Sequence, residues 1–377
     1  LRLMAQTTAR RSASTGGDPL FSGRAAQLFG RLRDTFETGL ESNAAAAFEN
    51  TYRLAGRVVR IRVLGSELAR CVHRPIAHLA VTAGDERGAP IRPELTIDLW
   101  DEHAVGLACT GCVAHEDLTI QSQVTASHEG RFVVEERAQL VSAFDRAAGR
   151  IIAWVGDARR LTRYELGRPL HSHLLLWHRD RGVQAVHSGL VAKDGQGVLF
   201  GGPGGSGKST VSLTSLGAGL DYLADDYVGL KPDGDGGYRG YSLYSSTAVN
   251  PAHMRRCFPH LVEHEIPGVL PHEDKSLVLL AELFPAQLPS VAQIRAVALP
   301  RVVDRERTTV RPATKFDAVL RLAPSSLMAL PHSNSGASGL DVLTEFVSAV
   351  PTFWLELGRD LPQIPKAVES ILAEVTA

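Results

Sequence analysis

The chain has 377 residues, which is too long for one ordinary domain and a comfortable length for two. Its hydrophobic content of 44%, with 41 acidic against 40 basic residues, indicates a globular protein and argues against nucleic acid or a membrane surface as a partner. No apolar run approaches the roughly 20 residues that span a bilayer, and four cysteines are too few for a disulfide framework, so we expect a soluble protein of the reducing cytoplasm.

The first part of the chain is predicted to be a tail followed by a β-rich domain. Residues 1–20 are basic and rich in Ser and Thr, which fits a disordered tail better than a transit peptide. Apolar residues recur at helical spacing over 21–36 and predict an amphipathic helix. Short β-like runs follow, including a hairpin whose turn is 145–149. We therefore expect a helix and a β-rich domain over 21–165, serving substrate binding or assembly.

The second part, residues 166–377, alternates between strand-like and helix-like runs, the pattern of an α/β domain. Pro169 favours the first turn of a helix. The predicted elements are a helix over 168–178, one strand over 184–191, a turn over 195–197 into a strand over 198–200, a hairpin turn over 231–237, and a late core strand over 351–357.

A phosphate-binding loop lies in this second part. Residues 202–209 fit the pattern G-x-x-x-x-G-K-[ST], after an apolar strand and before a helix-compatible run. Glycines let successive backbone N–H groups converge on phosphate oxygens, and the following helix adds its positive end. Lys208 can reach the terminal phosphates, and the Ser209 hydroxyl suits Mg²⁺. The expected nucleotide-binding residues are Gly202, Gly204, Gly205, Ser206, Gly207, Lys208, Ser209 and Thr210.

An acidic pair follows closely, since only 16 residues separate Lys208 from Asp225. A crossover that short predicts that the next strand lies beside the loop's own strand, with its end level with the phosphates. Of Asp225 and Asp226, one can hold Mg²⁺ and the other can take a proton from an attacking hydroxyl. His187 ends a strand-like run before the loop strand, and a hairpin would bring it near the phosphates or Asp225.

These residues resemble the HPr kinase/phosphorylase-like group of P-loop kinases. The resemblance rests on Val186-His187-Ser188-Gly189, on Gly197-Val198-Leu199, on the loop, and on Leu223-Ala224-Asp225-Asp226. It implies a nucleotide core similar to that of phosphoenolpyruvate carboxykinases, with ATP and Mg²⁺ as cofactors. It also implies Asp225 as catalytic base, Asp226 as a magnesium contact, and His187 near the transferring phosphate.

The resemblance also bears on the acceptor and on assembly. The HPr-phosphorylating members carry a Glu-x-Arg-Gly-type signature that is missing from 250–256, so HPr itself is not the expected acceptor. The N-terminal half resembles that of relatives found beside biosynthetic genes, including kinases that phosphorylate a serine of lasso peptides. This implies a peptide or protein acceptor. HPr kinases form oligomers, so the resemblance implies a homo-oligomer as well.

Two further positions are candidates for the active site. Lys275 closes the polar run 271–275 just before a strand, although a solvated turn has the same composition. Arg301, like Arg305, follows an apolar strand and can clamp developing phosphate charge, with a surface role as the favoured alternative.

Two weaker signals concern zinc and a loop. Cys109 and Cys112 precede His115, and Cys71, His73 and His103 lie upstream, but the spacing matches no standard zinc site and favours small thiols. The polar segment 331–338 is predicted to be a linker rather than a lid.

The leading hypothesis is an ATP-dependent kinase that phosphorylates a hydroxyl, most simply a serine, of a peptide or protein. Asp225, His187 and Lys208 are the expected catalytic residues, and Ser209 and Asp226 the magnesium contacts. The alternatives are a small-molecule kinase on the same core, a regulatory NTPase, and a binding module with a vestigial loop. An NTPase normally places its metal-binding acid far later in the chain, and the intact loop and acidic pair argue against decay.

Overall fold

The computed structural model describes residues 19–81, 92–112, 122–127, 129–268, 274–326 and 339–376. The tail before residue 19, His115, residues 271–273 and the 331–338 segment lie outside this part. The fold is mixed α/β, with two large sheets. The helices are α1 (Pro19–Ser42), α2 (Ser66–His73), α3 (Glu102–Val105), α4 (Arg163–Gly167), α5 (His171–Arg179), α6 (Lys208–Gly217), α7 (Pro251–Cys257), α8 (Lys315–Ser326), α9 (Gly339–Ala349) and α10 (Gln363–Thr376).

The first sheet has eight strands in the order β3-β1-β2-β4-β8-β7-β6-β5. Its strands are β1 (Ala47–Leu54), β2 (Arg57–Leu64), β3 (Ala80–Val81), β4 (Leu95–Asp101), β5 (Gln123–Ala126), β6 (Phe132–Glu136), β7 (Leu140–Asp145) and β8 (Arg150–Val155). The predicted helix over 21–36 is confirmed as part of α1, and the predicted hairpin as β7–β8. α1 covers one face of the sheet with Phe29, Leu32 and Phe36, and α2 and α5 pack against the other.

The second sheet has nine strands. They are β9 (Gln184–Val186), β10 (Ser188–Lys193), β11 (Gln196–Gly201), β12 (Asp221–Ala224), β13 (Val228–Pro232), β14 (Tyr238–Ser242), β17 (Val291–Val302), β18 (Thr309–Pro312) and β19 (Thr352–Leu357). The order is β12-β10-β11-β17-β14-β13-β9, with β19 paired to β17 and β18 to β19. α8 and α9 cover one face, and α6 and α10 the other. A separate pair, β15 (Ser246–Val249) and β16 (Ser276–Leu279), lies beside α6 and α7.

The predicted helix over 168–178 begins later than expected, at His171. Arg168 instead closes the short helix α4, which a capping box between Thr162 and Glu165 holds as a separate element. Leu170 has a left-handed φ of 52°, which interrupts the helical backbone before α5. The expected apolar face of the helix is nevertheless buried.

The predicted single strand over 184–191 is two strands. β9 pairs with β13, whereas β10 pairs with β11 and β12, and His187 lies at the break between them. The turn that follows is Asp194-Gly195, with φ of 52° and 74°, and residues 196–197 belong to β11. The break is therefore the point at which the chain changes its pairing partner.

The strand after the loop helix does not lie beside the loop strand. β12 pairs with β10, and β10 separates it from β11. The reason is the β10–β11 hairpin, because β10 already occupies the place next to β11. Ser188 pairs with Gly201 and Leu190 with Ala224, so β11 and β12 still end at the same edge of the sheet.

Candidate active site

The phosphate loop connects β11 to α6 at this shared edge. Gly205 and Gly207 have φ of 80° and 107°, conformations that other residues rarely adopt. A Cβ on Gly207 would also lie 2.3 Å from Leu357 Cδ1, so both the backbone and the packing require glycine there. The sequence pattern and the local geometry therefore agree on a tight loop opening a helix.

Lys208 is folded back over the loop in this structure. Its Nζ donates to the Gly202 carbonyl oxygen at 2.6 Å, and the residue is only 7% exposed. Burial lowers the pKa of Lys208, while the nearby charges of Asp226 and Asp225 act in the opposite direction. The ammonium group and the acidic pair thus belong to one electrostatic site.

The other loop residues are placed as follows. Ser206 Oγ is buried and has no hydrogen-bond partner within the described part of the chain, so an oxygen-rich ligand would satisfy it. Thr210 Oγ1 instead lies 3.0 Å from His253 Nε2, a contact the sequence did not indicate.

Asp225 follows β12 directly and is 4% exposed. Thr247 Oγ1, on β15, donates to Asp225 Oδ2 at 2.5 Å. Burial, and then the charge of Asp226, raise the pKa of Asp225 to about 6, although hydrogen bonds from Thr247 and Ser209 act to lower it. A carboxylate with such a pKa is suited to take up a proton near neutral pH.

Asp226 lies in the opposite electrostatic situation. Its Oδ1 is 2.8 Å from His187 Nε2, and Arg168 Nη1 forms an ion pair with Oδ2. Burial acts to raise the pKa of Asp226, but Arg168 and then His187 outweigh it and hold that pKa well below its usual range. The pKa values of the two adjacent carboxyl groups are therefore shifted in opposite directions, and a proton taken up by the pair binds to Asp225.

His187 is held at this site by the break between β9 and β10. Its backbone N–H donates to Ser326 Oγ at the end of α8, at 3.1 Å. Its ring lies 5.3 Å from that of Tyr227 and contacts Asp226 rather than Asp225. The structure thus brings together the histidine, the acidic pair and the loop that the sequence predicted.

Lys275 lies within electrostatic range of this group. It is exposed, yet its charge lowers the pKa of both Lys208 and Asp225. Because salt screens charges beyond about 10 Å, Lys275 must lie near enough to the site for its charge to act there.

Arg301 lies at the same sheet edge but is bound elsewhere. It forms an ion pair with Glu356 and stacks on Trp354, with the guanidinium carbon 4.5 Å from the ring centroid. Arg305 and Arg311 contact the same Glu356 carboxylate. Arg301 is therefore a neighbour of the loop through β17 and not a contact of the acidic pair.

The cysteine and histidine candidates for zinc that the structure describes do not converge. Cys109 Sγ and Cys112 Sγ lie 2.9 Å apart, whereas Cys71 contacts Glu67 and His73 contacts Tyr52. Among the residues that the structure describes, no group of three or more His, Cys, Asp and Glu side chains could hold a metal.

Three residues of the site escaped the sequence analysis: Arg168, Thr247 and Tyr227. Arg168 is 58 residues from Asp226 in sequence, and Thr247 is 22 residues from Asp225. Arg168 also lies 5.5 Å from the Tyr227 ring centroid. No motif marks Arg168 or Thr247, because only the α4–α5 connection and β15 bring them to the acids. Tyr227 directly follows Asp226 in the sequence, but no motif marks it either.

The donor set fits magnesium. A hydrogen bond from the Ser209 hydroxyl acts to lower the pKa of Asp225, and Asp226 adds a neighbouring carboxylate whose pKa is held well below its usual range. Hydroxyl and carboxylate oxygens are the protein ligands that Mg²⁺ prefers, with phosphate oxygens and waters completing its shell.

Comparisons with known proteins give a distant likeness in structure and none in sequence. No family model matches the sequence, and no curated protein matches it either. Among solved structures, the chain is similar to the Hpr(Ser) kinase/phosphatase from Coxiella burnetii, with 13% sequence identity and a TM-score of 0.28, over 52% of this chain and 99% of that one. Within the described ranges, no helix is long and apolar enough to cross a membrane.

Proposed function

We propose that this protein is an ATP-dependent kinase that transfers the γ-phosphoryl group to a hydroxyl, a serine of a peptide or protein acceptor. The observation that carries the proposal is the difference in pKa between the two adjacent acids. Asp225, with its raised pKa, and Asp226, held ionised by Arg168 and His187, lie next to the serine and lysine of a phosphate loop. A base near neutral pH beside a phosphate site is what hydroxyl phosphorylation requires.

The proposed reaction assigns one role to each group. The acceptor oxygen forms a bond to the γ-phosphorus while the bond to the β-phosphate oxygen breaks, and ADP leaves. Asp225 takes the hydroxyl proton as that bond forms. Lys208 and the loop amides neutralise negative charge on the transferring group, and His187 lies near it.

Ser209 and Asp226 would hold Mg²⁺, which would neutralise charge on the β- and γ-phosphates. Arg168 does not face the phosphates in this scheme. Its part is to keep Asp226 ionised, so that proton uptake falls to Asp225.

The proposal also assigns separate roles to the two parts of the chain. The loop, the acidic pair and His187 all lie within residues 166–377, which we assign as the catalytic unit. The eight-stranded sheet within 21–165 contributes none of these groups and is assigned to substrate binding or assembly.

The test is a transfer assay with labelled nucleotide. The protein is incubated with γ-labelled ATP, Mg²⁺ and serine-containing candidate peptides, each paired with a copy in which alanine replaces the serine. We expect label on the serine peptide alone, located by mass spectrometry. Label that appears only as free phosphate, or only on sugars and amino acids, would contradict a peptide kinase and favour an NTPase or a small-molecule kinase.

A further inference from the structure

An exposed apolar side chain lies beside the phosphate loop, on the face of the nine-stranded sheet that α6 and α10 cover. Val302 is the last residue of β17 and is 70% exposed. It is in register with Leu357, the last residue of β19, whose side chain is buried in the core on that face. A Cβ on Gly207 would lie 2.3 Å from Leu357 Cδ1 and 4.0 Å from Val302 Cγ2. Both strand ends therefore pack against the loop, and of the two side chains Val302 is the one open to solvent.

The segments that follow these two strands form a support for Val302, which we call the ledge and define as residues 303–308 and 358–360. Three backbone hydrogen bonds join the segments, from Val303 to Leu357, from Arg359 to Arg305 and from Asp360 to Glu306. The Gly358 N–H also donates to Thr308 Oγ1 at 3.1 Å. A Cβ on Gly358 would lie 2.4 Å from the Glu306 carbonyl oxygen, so the two segments touch closely. The ledge therefore fixes the position of Val302 relative to the phosphate loop.

The acidic pair determines the direction in which a nucleotide lies across the loop. Asp225 follows β12, on one side of the loop strand, whereas β17 pairs with the loop strand on its other side. If Asp225 is to act beside the transferring group, the γ-phosphate lies on the β12 side. The ribose and the base then leave the loop on the β17 side. Since β11, β17 and β19 are parallel, their carboxyl ends meet there, which is where such sheets bind ligands.

The opposite side of the loop helix has a different surface. Thr210 Oγ1 lies 3.0 Å from His253 Nε2, and Arg256 Nη2 lies 3.1 Å from His253 Nδ1. These polar side chains of α6 and α7 bond one another, whereas Val302 presents an uncovered apolar surface. An aromatic base gains more by covering the second surface than the first.

We propose that Val302 and the ledge bind the nucleobase of the phosphate donor, with the base packed against the Val302 side chain. This inference rests on the proposed kinase function, because it takes the loop to bind a nucleoside triphosphate. The N–H groups of Val303, Arg359 and Asp360 already donate within the ledge, so they do not read the edge of the base. Apolar contact with Val302 supplies the affinity instead. An inorganic phosphate chain would leave Val302 in water, so the exposed side chain favours a nucleoside.

The binding test compares a nucleotide with its phosphate chain alone. The two probes are a β,γ-imido analogue of ATP and inorganic tripolyphosphate, both as magnesium complexes, and calorimetry measures the affinity of each. Val302→Ser should weaken binding of the ATP analogue by about fivefold, since it removes the apolar contact, and leave tripolyphosphate binding unchanged. Val302→Leu keeps an apolar side chain and should bind both probes like the wild type.

The matched control lies at the other end of the same strand. Val291, the first residue of β17, is 36% exposed and far from the loop. Val291→Ser should therefore bind both probes like the wild type. Thermal unfolding checks that every variant folds.

Photolabelling of the wild type locates the base without any substitution. An ATP analogue with an azide on C8 of adenine is irradiated with the protein, and the labelled peptide is identified by mass spectrometry. We expect label within 302–308 or 358–360, and less of it when unlabelled ATP competes. Label confined to α7, or to any other segment, would overturn the proposal.

The binding results separate failure of this proposal from failure of the proposed kinase. Unchanged binding of the ATP analogue in Val302→Ser would show that the base does not touch Val302. Equal weakening of both probes would show that Val302 only supports the loop. Either result contradicts the base site alone. A wild-type protein that binds neither probe contradicts the kinase proposal, and the base site with it.

Discussion

Replacing Thr247 by Val tests how the proposed base is tuned. Thr247 Oγ1 donates to Asp225 Oδ2 at 2.5 Å, and both residues are buried. Val has nearly the shape of Thr but no donor, so the carboxylate loses one hydrogen bond that favours its ionised form. The pKa of Asp225, already raised to about 6, should therefore rise further.

The size of the shift follows from the hydrogen bond. A hydrogen bond to a charged group contributes about 1.5–3 kcal/mol, and 1.36 kcal/mol corresponds to about one pKa unit. A shift of about one unit moves the acidic limb of the rate profile from about pH 6 to about pH 7. Transfer should then fall about fivefold near pH 6 and by less than about twofold near pH 8.

The assay is the pH dependence of phosphoryl transfer under single-turnover conditions. Thr247→Ser keeps the hydroxyl and is the matched control, so its profile should follow that of the wild type. An unshifted limb in Thr247→Val, or a uniform loss of rate at every pH, would refute the assignment of the acidic limb to Asp225.

Three further predictions concern stability and nucleotide binding. Burial and Asp226 raise the pKa of Asp225 from 3.8 to about 6, so the charge of Asp225 costs stability above about pH 6 and nothing below about pH 4. Asp225→Asn should therefore raise the unfolding midpoint above that of the wild type at pH 8 but not at pH 4, and a midpoint equal to that of the wild type at both pH values would contradict this. Arg168→Gln should raise the pKa of Asp226 and lower the unfolding midpoint, with Arg168→Lys recovering part of the loss; an unchanged midpoint in Arg168→Gln would show that the ion pair is dispensable. Gly207 has a positive φ, and an added Cβ would lie 2.3 Å from a leucine, so Gly207→Ala should abolish ADP binding in calorimetry. Gly204 has open space around it, so Gly204→Ala should leave the unfolding midpoint unchanged. ADP binding by Gly207→Ala would contradict the geometry of the loop.

The sequence predicted the elements with strong local signals. The loop glycines, the amphipathic helix α1 and the β7–β8 hairpin follow from motifs, periodicity and turn residues within a few positions of one another. Such signals depend on neighbouring residues alone.

The errors arose where pairing over long distances decides the structure. Nothing within 184–191 shows that β9 pairs with β13 while β10 pairs with β11. For the same reason, the place of β10 between β11 and β12 could not be read from the short crossover. Arg168 and Thr247 were missed because the α4–α5 connection and β15, which are distant in sequence from the acids, carry them to the acidic pair.

The central claim is that Asp225 accepts the proton of the attacking hydroxyl. The most direct test compares wild type and Asp225→Asn in single-turnover transfer from γ-labelled ATP to a serine peptide, with binding of a fluorescent ATP analogue measured on the same samples. We expect analogue binding close to that of the wild type and a transfer rate lower by about 10² to 10⁴. Transfer at a rate near that of the wild type would contradict it.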